Sequence, residues 1–206
     1  MILRSKMLNF LGAFILLSSN YTHAIAFSVN DHRIAVLVND QLITSYDIVQ
    51  RMKMNAILTG VEITPENNNQ FMNSVVDELI KEKLKNEKID EYEISVSEDE
   101  FIRQENAFYK NNPFTKDIIR EAFKINNVKY SEFKKYLIEE ISWQKLISAM
   151  YYRLTSTSEI EIEEIFIRNP SITDEEARNI IVQRQLDLKS NKMIRDMFNE
   201  ATIEYK

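Results

Sequence analysis

The sequence is poor in the residues on which several protein classes depend. Of its 206 residues none is cysteine, two are glycine, three are proline and two are histidine. Without cysteine, the chain has no disulfide, no thiolate metal site and no cysteine nucleophile. So few glycines and prolines argue against sandwiches, barrels and glycine-rich nucleotide folds, because those folds need many tight turns.

The overall composition is that of an ordinary globular protein in which acidic residues outnumber basic ones. Hydrophobic residues make up 44% and charged residues 28% of the chain, and the formal net charge is −6. Phosphate contacts depend on lysine and arginine, so an acidic chain is a poor partner for nucleic acid. We therefore expect no nucleic-acid partner.

The N-terminal segment is typical of a secretory signal peptide. Arg4 and Lys6 precede an apolar run over residues 7–17, and small residues follow at the expected cleavage position. A membrane-spanning helix needs about 20 apolar residues, so retention as an anchor is the weaker alternative. The segment predicts a signal peptide over residues 1–26 and an exported mature chain, residues 27–206.

The order of the predicted elements in the mature chain is strand, many helices, strand. A short hairpin is predicted over residues 32–43, and a second alternating segment covers residues 202–206. Strands at both ends need a partner for their backbone groups, and the simplest partner for each is the other. We therefore expect a mainly α fold in which a small sheet pairs the N- and C-terminal strands.

Capping residues mark where most of the predicted helices begin. Four positions carry Ser or Thr with an acidic residue three positions later, which is the capping-box pattern. They are Thr44, Ser97, Ser158 and Thr173. Gly60 is predicted to end the first helix, and Ser131 to begin the longest one.

We expect one helical domain over residues 27–206, with three consecutive parts. They are an N-terminal module (30–153), a linker helix (158–168), and a closing helix and strand (173–206).

Catalytic motifs are missing from the sequence. It contains no G-x-S-x-G, H-E-x-x-H, G-x-x-x-x-G-K or G-x-G-x-x-G pattern. The mature chain would keep His32 as its only histidine. We therefore predict no catalytic residue, no metal site and no cofactor.

Methionine and aromatic residues are the best candidates for function. Methionine adapts its shape and recurs at surfaces that bind many partners, although most such residues fill the core. Four of these side chains fall off the main apolar stripe of their helices, which predicts that they lie on an exposed binding surface. They are Met54, Tyr109, Trp143 and Tyr152.

Four segments of the chain resemble the SurA family of periplasmic chaperones, in the same order. Residues 33–48, RIAVLVNDQLITSYDI, resemble the strand and helix that follow the signal peptide in that family. Residues 94–102 resemble the entrance of its third helix, and residues 133–146 its long helix. Residues 188–206 resemble its closing helix and final strand.

This resemblance implies the helical chaperone module of the family, whose N- and C-terminal segments pack as one domain. SurA proteins usually carry parvulin-type prolyl isomerase domains between these parts, each with histidines in its active site. Here only residues 154–173 join them. The resemblance implies a periplasmic, ATP-independent holdase for unfolded outer-membrane or secreted proteins that are rich in aromatic residues. The short connection, the single glycine and the single histidine of the mature chain argue against isomerase activity. No stretch after the signal peptide is long and apolar enough for stable membrane insertion.

Two alternatives stay open on the sequence. One is a prolyl isomerase that acts without a parvulin domain. The other is an envelope module that docks on one specific folded partner.

Overall fold

The computed structural model describes residues 32–206, and the predicted signal peptide lies outside them. The three strands are β1 (Ile34–Val38), β2 (Gln41–Thr44) and β3 (Ile203–Tyr205). They form one antiparallel sheet in the order β2-β1-β3. The predicted pairing of the N- and C-terminal strands is therefore confirmed.

The turn of the hairpin also holds the C-terminal strand. Asn39 has a φ of 51°, the left-handed conformation that asparagine tolerates. Its backbone N–H donates to the carbonyl oxygen of Thr202 at 2.8 Å, and its Oδ1 accepts from the Thr202 N–H at 3.0 Å. One turn residue thus joins two segments that are far apart in sequence.

Seven α-helices make up most of the described part of the chain, as the prediction of a mainly α fold requires. They are α1 (Ser45–Thr59), α2 (Asn68–Glu91), α3 (Glu98–Asn111), α4 (Lys116–Ile125), α5 (Tyr130–Tyr151), α6 (Glu159–Arg168) and α7 (Asp174–Glu200). A 3-10 turn, Tyr152–Leu154, extends α5. None of these helices is long and apolar enough to cross a membrane.

The predicted capping residues are found where the sequence places them. All four predicted capping boxes form, each with its side chain accepting from the backbone N–H three residues on. Gly60 ends α1 with a φ of 70°. A Cβ atom at Gly60 would lie 2.9 Å from Cζ of Phe114, so any other residue here would displace the Phe114 ring and would also be strained at this φ.

The prediction for the helix at Ser131 is wrong in two respects. The helix begins one residue earlier, at Tyr130, and its N-cap is Lys129, which makes no capping bond through its side chain. Val128, two residues before the helix, is buried in the core. The longest helix is α7, with 27 residues against 22 in α5.

Buried side chains form four clusters. The first joins the sheet to α1, α2 and the end of α7, and the second joins α1 to α3, α4 and the first half of α5. The third lies where α2, α5 and the middle of α7 meet. The fourth consists of residues from α6, the turn after it and the start of α7.

Candidate functional site

Two of the four predicted surface residues are buried. Met54 is 1% exposed and Trp143 is 4% exposed, so the expectation that they lie on an exposed binding surface is wrong. Both helices have several neighbours: α1 contacts α2 and α4, and α5 contacts α2, α3 and α7. Their buried arc is therefore wider than one apolar stripe, and residues that lie off that stripe still face the core.

Trp143 links two helices inside the third cluster. Its indole Nε1–H donates to Oγ of Ser190 on α7 at 2.9 Å, and its ring packs with Leu146 and Leu186. The Nζ of Lys85 lies 5.8 Å from the ring centroid. The side chain thus stabilises the packing of α5 against α7.

Tyr109 is half-buried at the end of α3. Its ring lies 5.4 Å from that of Phe108 and 6.1 Å from that of Phe133. Burial raises the pKa of its hydroxyl to about 12, and the charge of Glu105 contributes to the rise. Met54 and Tyr109 share the second cluster.

Tyr152, in the 3-10 turn after α5, is 62% exposed. It belongs to none of the four clusters. A role for Tyr109 and Tyr152 in client binding stays a prediction.

Exposed apolar side chains lie on the segment that joins α5 to α7. We call residues 155–185 the arm: a connecting segment, α6, the turn after it and the start of α7. Ile162 and Ile165 of α6 pack on Ala177 and Ile181 of α7. Among residues 32–206 this cluster draws only on α6, the turn after it and α7, so α6 is held in place by α7.

Polar contacts fix the two helices of the arm. The guanidinium of Arg178 donates to Asp174 at 2.6 Å and to Glu159 at 3.2 Å, and Arg184 donates to Glu161 at 3.1 Å. The side chain of Gln185 accepts from and donates to the backbone of Ser156, at 3.1 and 2.6 Å. The connecting segment therefore lies alongside α7.

Apolar side chains on and next to the arm point into solvent. On the outer face of α6, Ile160 is 71% and Ile167 is 79% exposed. Other large apolar residues exposed between positions 152 and 188 are Tyr152, Leu154, Ile180 and Leu188. Exposed apolar surface at this density is typical of a site that binds another polypeptide.

The sequence reasoning missed Ile160 and Ile167, although a signal for them exists. Isoleucine occupies positions 160, 162, 165 and 167 of a ten-residue helix. Residues seven apart share one helix face, and 162 and 165 lie on a different one. A helix with isoleucine on two faces can bury only one of them against a single neighbour.

A similar isoleucine pair lies on α4. Ile118 and Ile125 are exposed and also seven residues apart on a ten-residue helix. Unlike α6, however, α4 packs into the large second cluster through Ile119 and Phe123. It provides a matched comparison for the arm.

A polar network links α1, α2 and α5 away from the arm. Arg51 forms an ion pair with Glu82, and Asn86 Nδ2 donates to Glu139 Oε1 at 2.9 Å. Burial raises the pKa of Glu139 to about 7, with the charge of Glu82 as the second cause. The Nζ of Lys135 lies 3.7 Å from Oε1 of Glu139. These contacts hold three helices together.

Residues 32–206 contain no metal-binding geometry. Nowhere in that range do three or more histidine, cysteine, aspartate or glutamate side chains converge as metal ligands.

Comparison with known proteins relates the chain to one family. The family model described as the SurA-like N-terminal domain matches residues 7–147. A search of the curated proteins gives no match.

One solved structure matches the chain over most of its length. It comes from work describing the virulence factor PEB4 and the periplasmic protein Cj1289 as two structurally related SurA-like chaperones in Campylobacter jejuni. The identity is 17% and the TM-score 0.43, over 84% of this chain and 98% of that chain.

The family match covers the sheet hairpin and most of α1 to α5, and it ends before the arm. In the described part of the chain, only the 3-10 turn and α6 lie between α5 and α7, and no parvulin-type domain is present. By the match over residues 7–147, the chain belongs to the SurA-like N-terminal domain family.

Proposed function

We propose that this protein is an ATP-independent holdase chaperone that binds unfolded outer-membrane or secreted proteins, without isomerase activity. Membership of the SurA-like family supports a chaperone-type role. The observation that carries the proposal is the outer face of the arm, where Ile160 and Ile167 are exposed and no helix within residues 32–206 covers them.

The mechanism follows from the chemistry of this surface. An unfolded polypeptide exposes apolar side chains and strand edges that aggregate with other chains. The arm and the neighbouring Tyr152 would cover such segments, and Tyr109 would extend the contact if clients reach the end of α3. An affinity near the micromolar level, about −8 kcal/mol, would allow release when the client folds.

We place this activity in the periplasm. The N-terminal segment supports this location, because its sequence is typical of a signal peptide. The similar chain comes from structural work that includes a periplasmic protein, Cj1289.

The test is an aggregation assay with the purified mature chain, residues 27–206. A urea-unfolded outer-membrane protein is diluted into buffer with and without the chain, without nucleotide, and light scattering is followed. We expect scattering to fall strongly near an equimolar ratio. Unchanged scattering would contradict the holdase, and binding to a single folded envelope protein would then favour the docking module.

A second assay separates the holdase from an isomerase. The rate of cis-trans conversion of a proline-containing peptide is measured with and without the chain. We expect no acceleration above the uncatalysed rate, which has a time constant of about 10–100 s. A marked acceleration would show that the family module here has an isomerase activity of its own.

A further inference from the structure

The outer face of α6 combines apolar and acidic side chains. Glu163 and Glu164 lie three and four residues after Ile160, so they share its face, and Ile167 completes the set one turn later. All four side chains are exposed. The face therefore presents two carboxylates between two isoleucines.

These carboxylates differ from four of the other five acidic groups of the arm, the exception being Glu175 in the first turn of α7. Glu161 and Glu176 close capping boxes, and Asp174 and Glu159 bond to Arg178. Within residues 32–206, neither Glu163 nor Glu164 takes part in a hydrogen bond or ion pair.

The single basic residue of α6 does not neutralise this face. Arg168 lies four residues after Glu164, yet no ion pair joins the two among the described residues. The two negative charges are left for a partner. Negative charge beside an apolar surface favours partners that carry positive charge, because a negatively charged segment is repelled.

We propose that the outer face of α6 binds client segments in which lysine or arginine stands next to aliphatic or aromatic residues. This inference rests on the proposed holdase function and narrows it to a class of client segment. The isoleucines would contact the apolar side chains while Glu163 and Glu164 pair with the cations. Segments of the same hydrophobicity that carry acidic residues would bind poorly.

The test uses two labelled, unstructured peptides with identical leucine and phenylalanine positions. One carries lysine and the other glutamate at the remaining charged positions, and binding to the full chain is followed by fluorescence anisotropy. We expect the lysine peptide to bind at least several-fold more tightly at low salt. Because exposed ion pairs are screened, added salt should reduce this preference.

The double substitution Glu163→Gln/Glu164→Gln tests the face itself. Exposed ion pairs contribute about 0.2–1 kcal/mol each, so losing two should weaken binding of the lysine peptide about twofold to thirtyfold. Binding of the glutamate peptide should stay equal or improve. The matched control is Asp77→Asn/Glu121→Gln, which removes two exposed charges from α2 and α4 and should change binding less than twofold.

The outcomes separate this inference from the function on which it rests. If the chain suppresses aggregation but binds both peptides equally, or if the α6 substitutions act no more strongly than the control, the inference is overturned and the holdase stands. If the chain neither suppresses aggregation nor binds either peptide, the holdase itself fails. Unchanged far-UV circular dichroism of both double variants confirms that the comparison is between folded proteins.

Discussion

Replacing Trp143 tests whether this side chain stabilises the core or belongs to a binding surface. The side chain is buried against Leu146 and Leu186, and its indole N–H donates to Ser190. Removing a buried aromatic side chain to alanine costs about 3–5 kcal/mol, because apolar contacts are lost and a cavity remains. Trp143→Ala should therefore lower the free energy of unfolding by that amount.

The hydrogen bond can be tested separately. Ser190→Ala leaves the indole N–H without its partner while the ring stays packed. An unsatisfied buried donor costs about 1–3 kcal/mol, so this variant should fall between the wild type and Trp143→Ala.

The assay is urea unfolding followed by circular dichroism at 222 nm. Tryptophan fluorescence is unsuitable because Trp143 is the only tryptophan in the chain. A loss below about 1 kcal/mol for Trp143→Ala would refute the reasoning, since exposed substitutions usually change stability by no more than about 0.5 kcal/mol. Such a result would restore the original expectation that this residue lies on the surface.

Three further predictions concern other sites. Burial and the charge of Glu82 raise the pKa of Glu139 from 4.5 to about 7, so the native state loses stability as pH rises between these values. Glu139→Gln should flatten this pH dependence and raise the free energy of unfolding by roughly 1–3 kcal/mol at pH 8. Equal urea midpoints for the variant and the wild type at pH 8 would contradict this prediction. Gly60→Ala should lower the free energy of unfolding by about 1–2 kcal/mol, because the φ of Gly60 is 70° and the Phe114 ring lies where the new methyl group would be. An unchanged midpoint of urea unfolding would contradict this prediction. Tyr152→Ala should leave stability within about 0.5 kcal/mol while it weakens aggregation suppression, and full suppression by this variant would remove Tyr152 from the proposed surface.

Local sequence signals predicted the elements that depend on local chemistry. Thr44, Ser97, Ser158 and Thr173 each cap a helix because the bonds involved join residues three apart. The pairing of the two terminal strands also followed, because a strand needs a partner for its backbone groups. Such features can be predicted without knowing which helices pack against each other.

The features that depend on neighbours were predicted less well. Met54 and Trp143 lie off the main stripe of their helices, yet they are buried because α1 and α5 each contact several helices. Ile160 and Ile167 are exposed for the opposite reason, since α6 has α7 as its packing partner. How many sides of a helix are covered is a property of the whole fold.

The most direct test of the holdase and of its location on the arm is one aggregation assay with two matched variants. Ile160→Ser/Ile167→Ser removes the exposed pair on α6, and Ile118→Ser/Ile125→Ser removes the pair with the same spacing on α4. The account predicts that the wild type and the α4 variant suppress aggregation of an unfolded outer-membrane protein equally, whereas the α6 variant loses most of this activity. Equal suppression by all three proteins, or a greater loss in the α4 variant, would contradict it.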